Sequence, residues 1–525
     1  MKLFPSLLIG LCFVLNNALA QENKPQVKIK NGMLQGEFNP ATGINSYKGI
    51  PYALPPVGDL RWKEPQPAKD WSGVFKADHF GHSPMQKHIY SDMIFRGDTI
   101  SEDCLFLNVW SPAKSGKEKL PVLVYFYGGG YIAGDGSESR YDGESLAQKG
   151  IVTVTINYRL GIFGFMAHPE LSQESAHHAS GNYGLLDQNA ALKWVQENIA
   201  AFGGDPKRVT IGGESAGSFS VCAQVLSPLS KGLFAGAIGE SGGFSKLQPL
   251  ANAENNGVTF AKKIGAKSLA DLRALSASAL LDSASKPGNP RFSVVLDGYF
   301  FTKQGAEVLA AGEEAHVPLL VGWNSAEVSY QSVTGADLPT PENYAKKIKQ
   351  RFGADSLTIL TLYPGGTQDE VIKSATALGS DNFIVFGTWK WADMQSKTSG
   401  KPVYRYMFSH PRPAMVNPSS INGNNKLPPI MVGATHASEI EFALGNLAGN
   451  KTYAWTPDDY KVSETMENYI ANFIKTGNPN GKGLPKWEAN TKDSAVKYMN
   501  IDVDTKLENE TNRDRYLLWD RRFSQ

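Results

Sequence analysis

Val209-Thr210-Ile211-Gly212-Gly213-Glu214-Ser215-Ala216-Gly217 is a short β-rich run that ends abruptly in glycine, serine and glycine. The residues behind it, SFSVCAQVL (218–226), suit a helix, so the whole stretch reads as strand, sharp turn, helix. In that context Gly213-x-Ser215-x-Gly217 has the form of a nucleophile elbow, with Ser215 carried on a strained turn where its hydroxyl stands clear. Side chains two residues before and after the serine would strike neighbouring backbone, which is why both positions need glycine. Away from such flanks the same letters spell a Gly-rich connector whose serine caps a helix.

Working outward, β-rich runs recur at Leu105–Trp110, Val122–Tyr127, Ile151–Ile156 and Ala235–Ile238. A helical pattern from Leu185 to Ala201, with Leu186, Ala190, Trp194 and Ile199 toward one face, closes at Gly203-Gly204-Asp205-Pro206. Buried β runs alternating with helices predict an α/β fold built on a large, mainly parallel sheet covered on both sides. Beyond residue 251 helical segments dominate (254–264, 302–311, 341–352, 367–396, and last Pro457–Lys475), with late strands at Val317–Val321 and Pro402–Phe408. The chain therefore reads as one catalytic domain over residues 21–525, with helical insertions.

A serine alkoxide needs donors for the oxyanion it creates. Val122-Leu123-Val124-Tyr125-Phe126-Tyr127-Gly128-Gly129-Gly130-Tyr131 places three glycines directly after a buried strand, leaving N–H groups that a substrate oxygen can approach. Gly129, Gly130 and, beside the nucleophile, Ala216 are the candidate donors.

Composition narrows the setting. The 525 residues carry 52 Lys and Arg against 51 Asp and Glu, a net charge of +1, so nothing encodes bulk attraction to nucleic acid or to an anionic membrane. Lys2, the apolar stretch Leu7–Leu15 and Ala18-Leu19-Ala20 have the layout of a signal peptide cleaved after Ala20, which predicts a secreted or periplasmic protein. No run reaches the ~20 apolar residues of a membrane span. Cys104 and Cys222 then remain, too few for a disulfide framework. There is no H-E-x-x-H pattern, no Cys/His cluster and no dinucleotide fingerprint, so neither metal nor cofactor is expected and the partner is a small-molecule substrate.

The unbroken run GNYGLLDQNAALKWVQENIAAFGGDPKRVTIGGESAG (Gly181–Gly217) resembles the type-B carboxylesterases, a family that includes cholinesterases and bacterial para-nitrobenzyl esterases. The likeness extends through Ser101–Val109, the YGGG loop, Asn157–Gly161, Glu240-Ser241-Gly242, Val295–Phe300, Val321–Tyr330 and Gly433–Gly445. It implies an α/β-hydrolase fold and cofactor-free hydrolysis of carboxylic esters. In such folds nucleophile, acid and histidine follow in that order along the chain. The family's G-x-N-x-x-E stretch matches Gly322-Trp323-Asn324-Ser325-Ala326-Glu327 and points to Glu327 as the acid, although Ala326 and Val328 replace the usual Asp and Gly beside it. Asp297 is the rival, in what looks like a turn. Of nine histidines, His436 in Gly433-Ala434-Thr435-His436 follows Glu327 and matches the family's base, while His168, His177, His178, His316 and His410 read as structural or surface positions. The resemblance also implies supporting roles beside the site for Glu214 and Ser241.

Departures from the family bear on substrate. The cysteine that would pair with Cys104 is Ser83, and the loop Pro84–Ser101 holds Tyr90 and Phe95 but no Trp, which argues against a choline ester and for a more mobile loop. In the stretch matching the acyl pocket, Ser285–Ser293, Phe292 is a candidate wall; Lys286 and Arg291 either meet an acidic acyl group or belong to a solvated loop. Tyr131, Phe219 and Trp323 are the other expected lining residues. These features predict an esterase for small to medium uncharged or aromatic esters. A specialised esterase for a polyester, lactone or acidic natural-product ester, and a catalytically inactive binding member of the family, stand as the alternatives.

Overall fold

The computed structural model describes residues 24–416, 432–492 and 494–523; the expected signal peptide, residues 1–20, lies outside them. The β runs assemble into an eleven-stranded sheet. Its strands are β1 (Glu37–Asn39), β2 (Ile44–Pro51), β3 (Phe106–Ser111), β4 (Leu120–Phe126), β5 (Val152–Ile156), β6 (Gly204–Glu214), β7 (Gly236–Glu240), β8 (Leu319–Asn324), β9 (Val403–Phe408), β10 (Lys497–Ile501) and β11 (Lys506–Asn509). Across the sheet the order is β11-β10-β9-β8-β7-β6-β4-β5-β3-β2-β1. From β5 to β10 every neighbouring pair is parallel; β1, β2 and β3 at one edge and β11 at the other run antiparallel. β5 and β7 are buried at every residue, as expected of strands covered on both faces.

The predicted strands fall within two or three residues of the observed ones, except that β6 extends back to Gly204 through a register shift. Strands β1, β2, β10 and β11 and the closing helix Arg513–Phe523 carry no comparable signal in the sequence.

Two helices bring the sequence motifs together in space: α1 (Tyr183–Asn198) and α2 (Ala216–Leu226). The expected amphipathic face of α1 is not its most buried one. Leu185, Ala191, Leu192 and Val195 are fully buried, while Ala190 is only partly so. Packing against α2 as well as the sheet explains this, with polar side chains meeting across the seam: Gln188 Nε2 donates to Ser220 Oγ at 2.8 Å and Gln224 Nε2 to the Leu185 carbonyl at 3.0 Å. Residues 367–396, expected as one helix, form α3 (Gln368–Ser380) and α4 (Phe386–Thr398) separated by a π-helical turn at Asp381–Val385.

One buried ion pair fixes the loop after β5. Arg159 grips Asp187 of α1 through Nε at 2.8 Å and Nη2 at 2.7 Å, and its backbone N–H adds a third bond at 3.1 Å. Two residues on, Gly161 N–H donates to the Tyr131 carbonyl at 2.7 Å, while Tyr127 and Tyr158 stack 4.4 Å apart and exchange hydroxyl-to-carbonyl bonds. The glycine loop is thus anchored to α1 through a desolvated charge pair. Asp187→Ala strands a buried guanidinium and should cost about 3–5 kcal/mol, read as a lowered denaturation midpoint. Glu197→Ala, which removes the exposed Lys30–Glu197 pair (3.1 Å), should change stability by less than ~1 kcal/mol.

Candidate active site

β6 and β7 run in register, with Gly213 opposite Gly239 and Glu214 opposite Glu240. The next residue of each strand turns sharply. Ser215 and Ser241 both adopt φ 53°, the left-handed region that side chains avoid. Two backbone bonds pin this pair of turns: Ser215 N–H to the Glu240 carbonyl and Ser241 N–H to the Gly322 carbonyl, each 2.9 Å. The elbow also presses against the end of β4. A Cβ on Gly213 would lie 2.6 Å, and one on Gly217 2.0 Å, from the Phe126 carbonyl oxygen. These contacts are closer than any carbon can approach, so both glycines are obligatory.

The chain brings His436 to Ser215 across 221 residues. Ser215 Oγ lies 2.9 Å from His436 Nε2, and His436 Nδ1 lies 2.6 Å from Glu327 Oε2. The histidine loop is held by a short bridge between Ala326 and Thr435, with Ala326 N–H donating to the Ala434 carbonyl at 2.9 Å. Ala326 and Val328, which depart from the family pattern, leave this geometry intact. Glu327 Oε1 accepts from Ser241 Oγ at 2.6 Å and from the Asn324 N–H at 2.7 Å, so one carboxylate oxygen is anchored and the other faces the imidazole. Asp297 instead caps its own turn, accepting from Phe301 N–H at 2.9 Å. His410 is wedged between Asp459 and Asp502, His177 stacks on Tyr299, and His168 caps a helix.

Four buried glutamates cluster here: Glu214, Glu240, Glu327 and Glu439. Burial pushes the Glu214 carboxyl up to about 8, against the pull of His436. Burial, helped by the charge of Glu327, lifts Glu439 to about 7. For His436 burial opposes the cation, yet Glu214, with an oxygen 3.3 Å from Nε2, and Glu327 outweigh it and raise the imidazole to about 10. The local field therefore favours an imidazolium next to Ser215.

A cavity of about 590 Å³ opens in front of Ser215 and His436. Gly129, Gly130 and Ala216 line it, and their N–H groups have no acceptor among the described residues. Tyr131 and Phe219 line it as expected. Phe292 does not: it packs edge-on against Phe260 at 5.6 Å, and its neighbours Arg291, Ser293 and Val294 face the cavity instead. Trp323 does not either. Side chains alternate along β8, so Asn324 serves the site while Trp323 packs on the other side against Tyr516, 6.1 Å away. Lys286 is exposed and outside the lining, Ser83 and Cys104 are buried, and Cys104 and Cys222 are free thiols.

Two participants were not foreseen. Glu439 accepts from Asn324 Nδ2 and sets its other carboxyl oxygen 3.0 Å from Ser241 Oγ; its place three residues after His436 is the one hint of it in the sequence. Phe383 sets its ring edge-on to His436 at 5.1 Å, delivered by the π-helical turn, which the helical periodicity of the segment conceals.

The carboxylesterase family model matches residues 23–519. The chain is 37% identical over 77% of its length to the fumonisin B1 esterase of Sphingopyxis macrogoltabida, covering 72% of that protein. To the para-nitrobenzyl esterase of Bacillus subtilis it is 33% identical, over 90% of this chain and 94% of the other. Among solved structures, a Geobacillus stearothermophilus carboxylesterase superposes with a TM-score of 0.79 at 31% identity, covering 94% of this chain and 99% of that one.

The elbow geometry yields a test of its own. Gly217→Ala forces a Cβ into the Phe126 carbonyl and should abolish labelling of Ser215 by a fluorophosphonate probe while lowering the melting temperature; retained labelling at wild-type rate would refute the crowding argument.

Proposed function

The chain belongs to the carboxylesterase family, and from that premise we propose that Ser215, His436 and Glu327 hydrolyse carboxylic esters through an acyl-enzyme. The protein is a carboxylic ester hydrolase. The observation that carries the proposed roles is the His436 imidazole, bonded to Ser215 Oγ on one side and to Glu327 on the other, at the floor of a largely apolar cavity.

In this reading His436 Nε2 takes the Ser215 proton as Oγ attacks the ester carbonyl carbon. The carbonyl oxygen becomes an oxyanion and accepts from the N–H groups of Gly129, Gly130 and Ala216. His436 then returns the proton to the departing alcohol. A water, deprotonated by the same nitrogen, releases the acid and restores Ser215. Glu327 orients the ring and stabilises its cation, and Ser241, Asn324 and Glu439 hold Glu327 in place. Glu214 stabilises the same cation from the Ser215 side, which eases proton abstraction and keeps the resting imidazole charged up to higher pH.

The preferred esters are of small to medium size with apolar or aromatic parts, matched to walls such as Phe219, Phe244, Leu226 and Phe301. Choline esters are disfavoured: among the described residues no Trp lines the cavity, and Arg291 places positive charge in its wall. Strands drawn from Glu37 to Asn509 share one sheet, which supports a single catalytic domain over residues 21–525. No helix among the described residues is long and apolar enough to cross a membrane. We take residues 1–20 as a signal that exports the enzyme, on the layout of Lys2, Leu7–Leu15 and Ala18-Leu19-Ala20.

A panel of p-nitrophenyl esters of increasing acyl length should be cleaved by the wild type, and Ser215→Ala should lose about three to six orders of magnitude in kcat. Hydrolysis surviving in Ser215→Ala would remove the nucleophile assignment. Glu214→Gln should move the acid limb of the kcat/KM profile to lower pH. The sign follows from the raised His436 pKa: the neutral base is lost as pH falls through it, and removing a carboxylate charge lowers that pKa. An unmoved limb would show that Glu214 exerts no field on the base.

A further inference from the structure

The charged and titratable groups in the cavity wall include Asp92, Arg140, Glu214, Arg291 and His436. All but one are accounted for. Glu214 and His436 belong to the hydrolytic centre, where a carboxylate oxygen of Glu214 lies 3.3 Å from His436 Nε2. Asp92 and Arg140 are paired at 3.2 Å, and Arg140 is also gripped by Glu138 at 2.6 Å. Arg291 has no ion pair, hydrogen bond or ring contact among the described residues.

The loop that carries Arg291 is anchored beside it. Phe292 beside it is buried against Phe260, and Val295, four residues on, exchanges backbone bonds with the Asn182 side chain at 2.8 and 3.0 Å. With Phe292 turned into the core, Arg291 on its flank takes a place in the cavity wall. Tyr90 stands with it. Its hydroxyl makes no hydrogen bond among the described residues and lies 3.6 Å from where a Cβ on Gly130 would be, beside the glycine loop. The Arg291 charge is felt at Tyr90, drawing its pKa down against the larger upward push of burial. A guanidinium fork and a phenolic O–H, both unpaired and facing one space, are the donors that a carboxylate takes up.

We propose that Arg291 and Tyr90 bind a carboxylate carried by the substrate, making esters with a free acid group the favoured class. This rests on the reading that the cavity holds the ester being cleaved. Two architectures share the chemistry: the acid group belongs to the acyl half, as in a monoester of a dicarboxylic acid, or to the alcohol half, as in an ester of a hydroxy acid. Water reaches Arg291, so screening makes the effect smaller than that of a buried pair.

The test compares matched esters on the full-length enzyme. In one arm p-nitrophenyl pentanoate is set against mono-p-nitrophenyl glutarate; in the other, phenyl butyrate against 4-butyryloxybenzoate. The ratio of kcat/KM for the acid-bearing ester to that for its neutral match should fall about tenfold in Arg291→Gln, mainly through KM. It should fall less in Tyr90→Phe, recover in part in Arg291→Lys, and shrink in the wild type as salt is raised. The arm in which the ratio falls identifies the half that carries the acid. If Arg291→Gln and Tyr90→Phe leave both ratios unchanged while neutral esters are still cleaved through Ser215, the inference is wrong and the esterase reading stands. If the wild type cleaves no ester in either arm, the esterase reading itself fails.

Discussion

At the carboxyl ends of β4 and β6 two backbones approach so closely that no side chain fits between them. The Phe126 carbonyl occupies the space that a Cβ on Gly213 or Gly217 would need, and Ser215 is held between them at φ 53° and ψ −121°. The strain is tolerated because everything nearby is already committed. Ser215 N–H bonds to the end of β7, its carbonyl accepts from Phe219 N–H at 2.9 Å to begin α2, and the glycine loop behind it is tied through Tyr131 to Gly161. Relaxing the elbow would break the register of several parallel strands at once. A rigid sheet thus stores a local conformation that an isolated peptide would abandon.

The same constraint organises the electrostatics. Because β6 and β7 end in step, Glu214 and Glu240 arrive side by side at the floor of the site, and Ser241 follows at the position equivalent to Ser215. Ser241 then bridges Glu327 and Glu439, so that carboxylates from four separate stretches of chain share one desolvated pocket. Such crowding would be costly if all were charged. Burial raises Glu214 to about 8 and Glu439 to about 7, and the negative charge that remains supports a cation on His436. The arrangement favours the protonation state that the proposed base reaches midway through the reaction.

Selectivity lies in parts of the wall that the elbow does not dictate. Phe292 and Trp323 were expected to face the cavity, yet one anchors a loop to the core and the other sits on the opposite face of β8. Their neighbours Arg291 and Asn324 take the functional side. A one-residue difference in phase is invisible in composition but reverses which side chain a substrate meets. Phe383 shows the same limit, since only the π-helical turn aims it at His436.

The sequence alone determined the α/β class, the elbow, the glycine loop and the order of serine, acid and histidine. Each of these depends on local chemistry: glycine where backbone must come close, β-branched runs where both faces are buried, and motifs that need only a few adjacent residues. Tertiary structure decided what depends on distance and phase. It brought His436 to Ser215 across 221 residues, drew Glu439 and Asn324 into the carboxylate cluster, added antiparallel edges to the sheet, and left Arg291 unpaired in the cavity wall. Burial, and the field it creates between charges from remote segments, arises only once the chain has closed around itself.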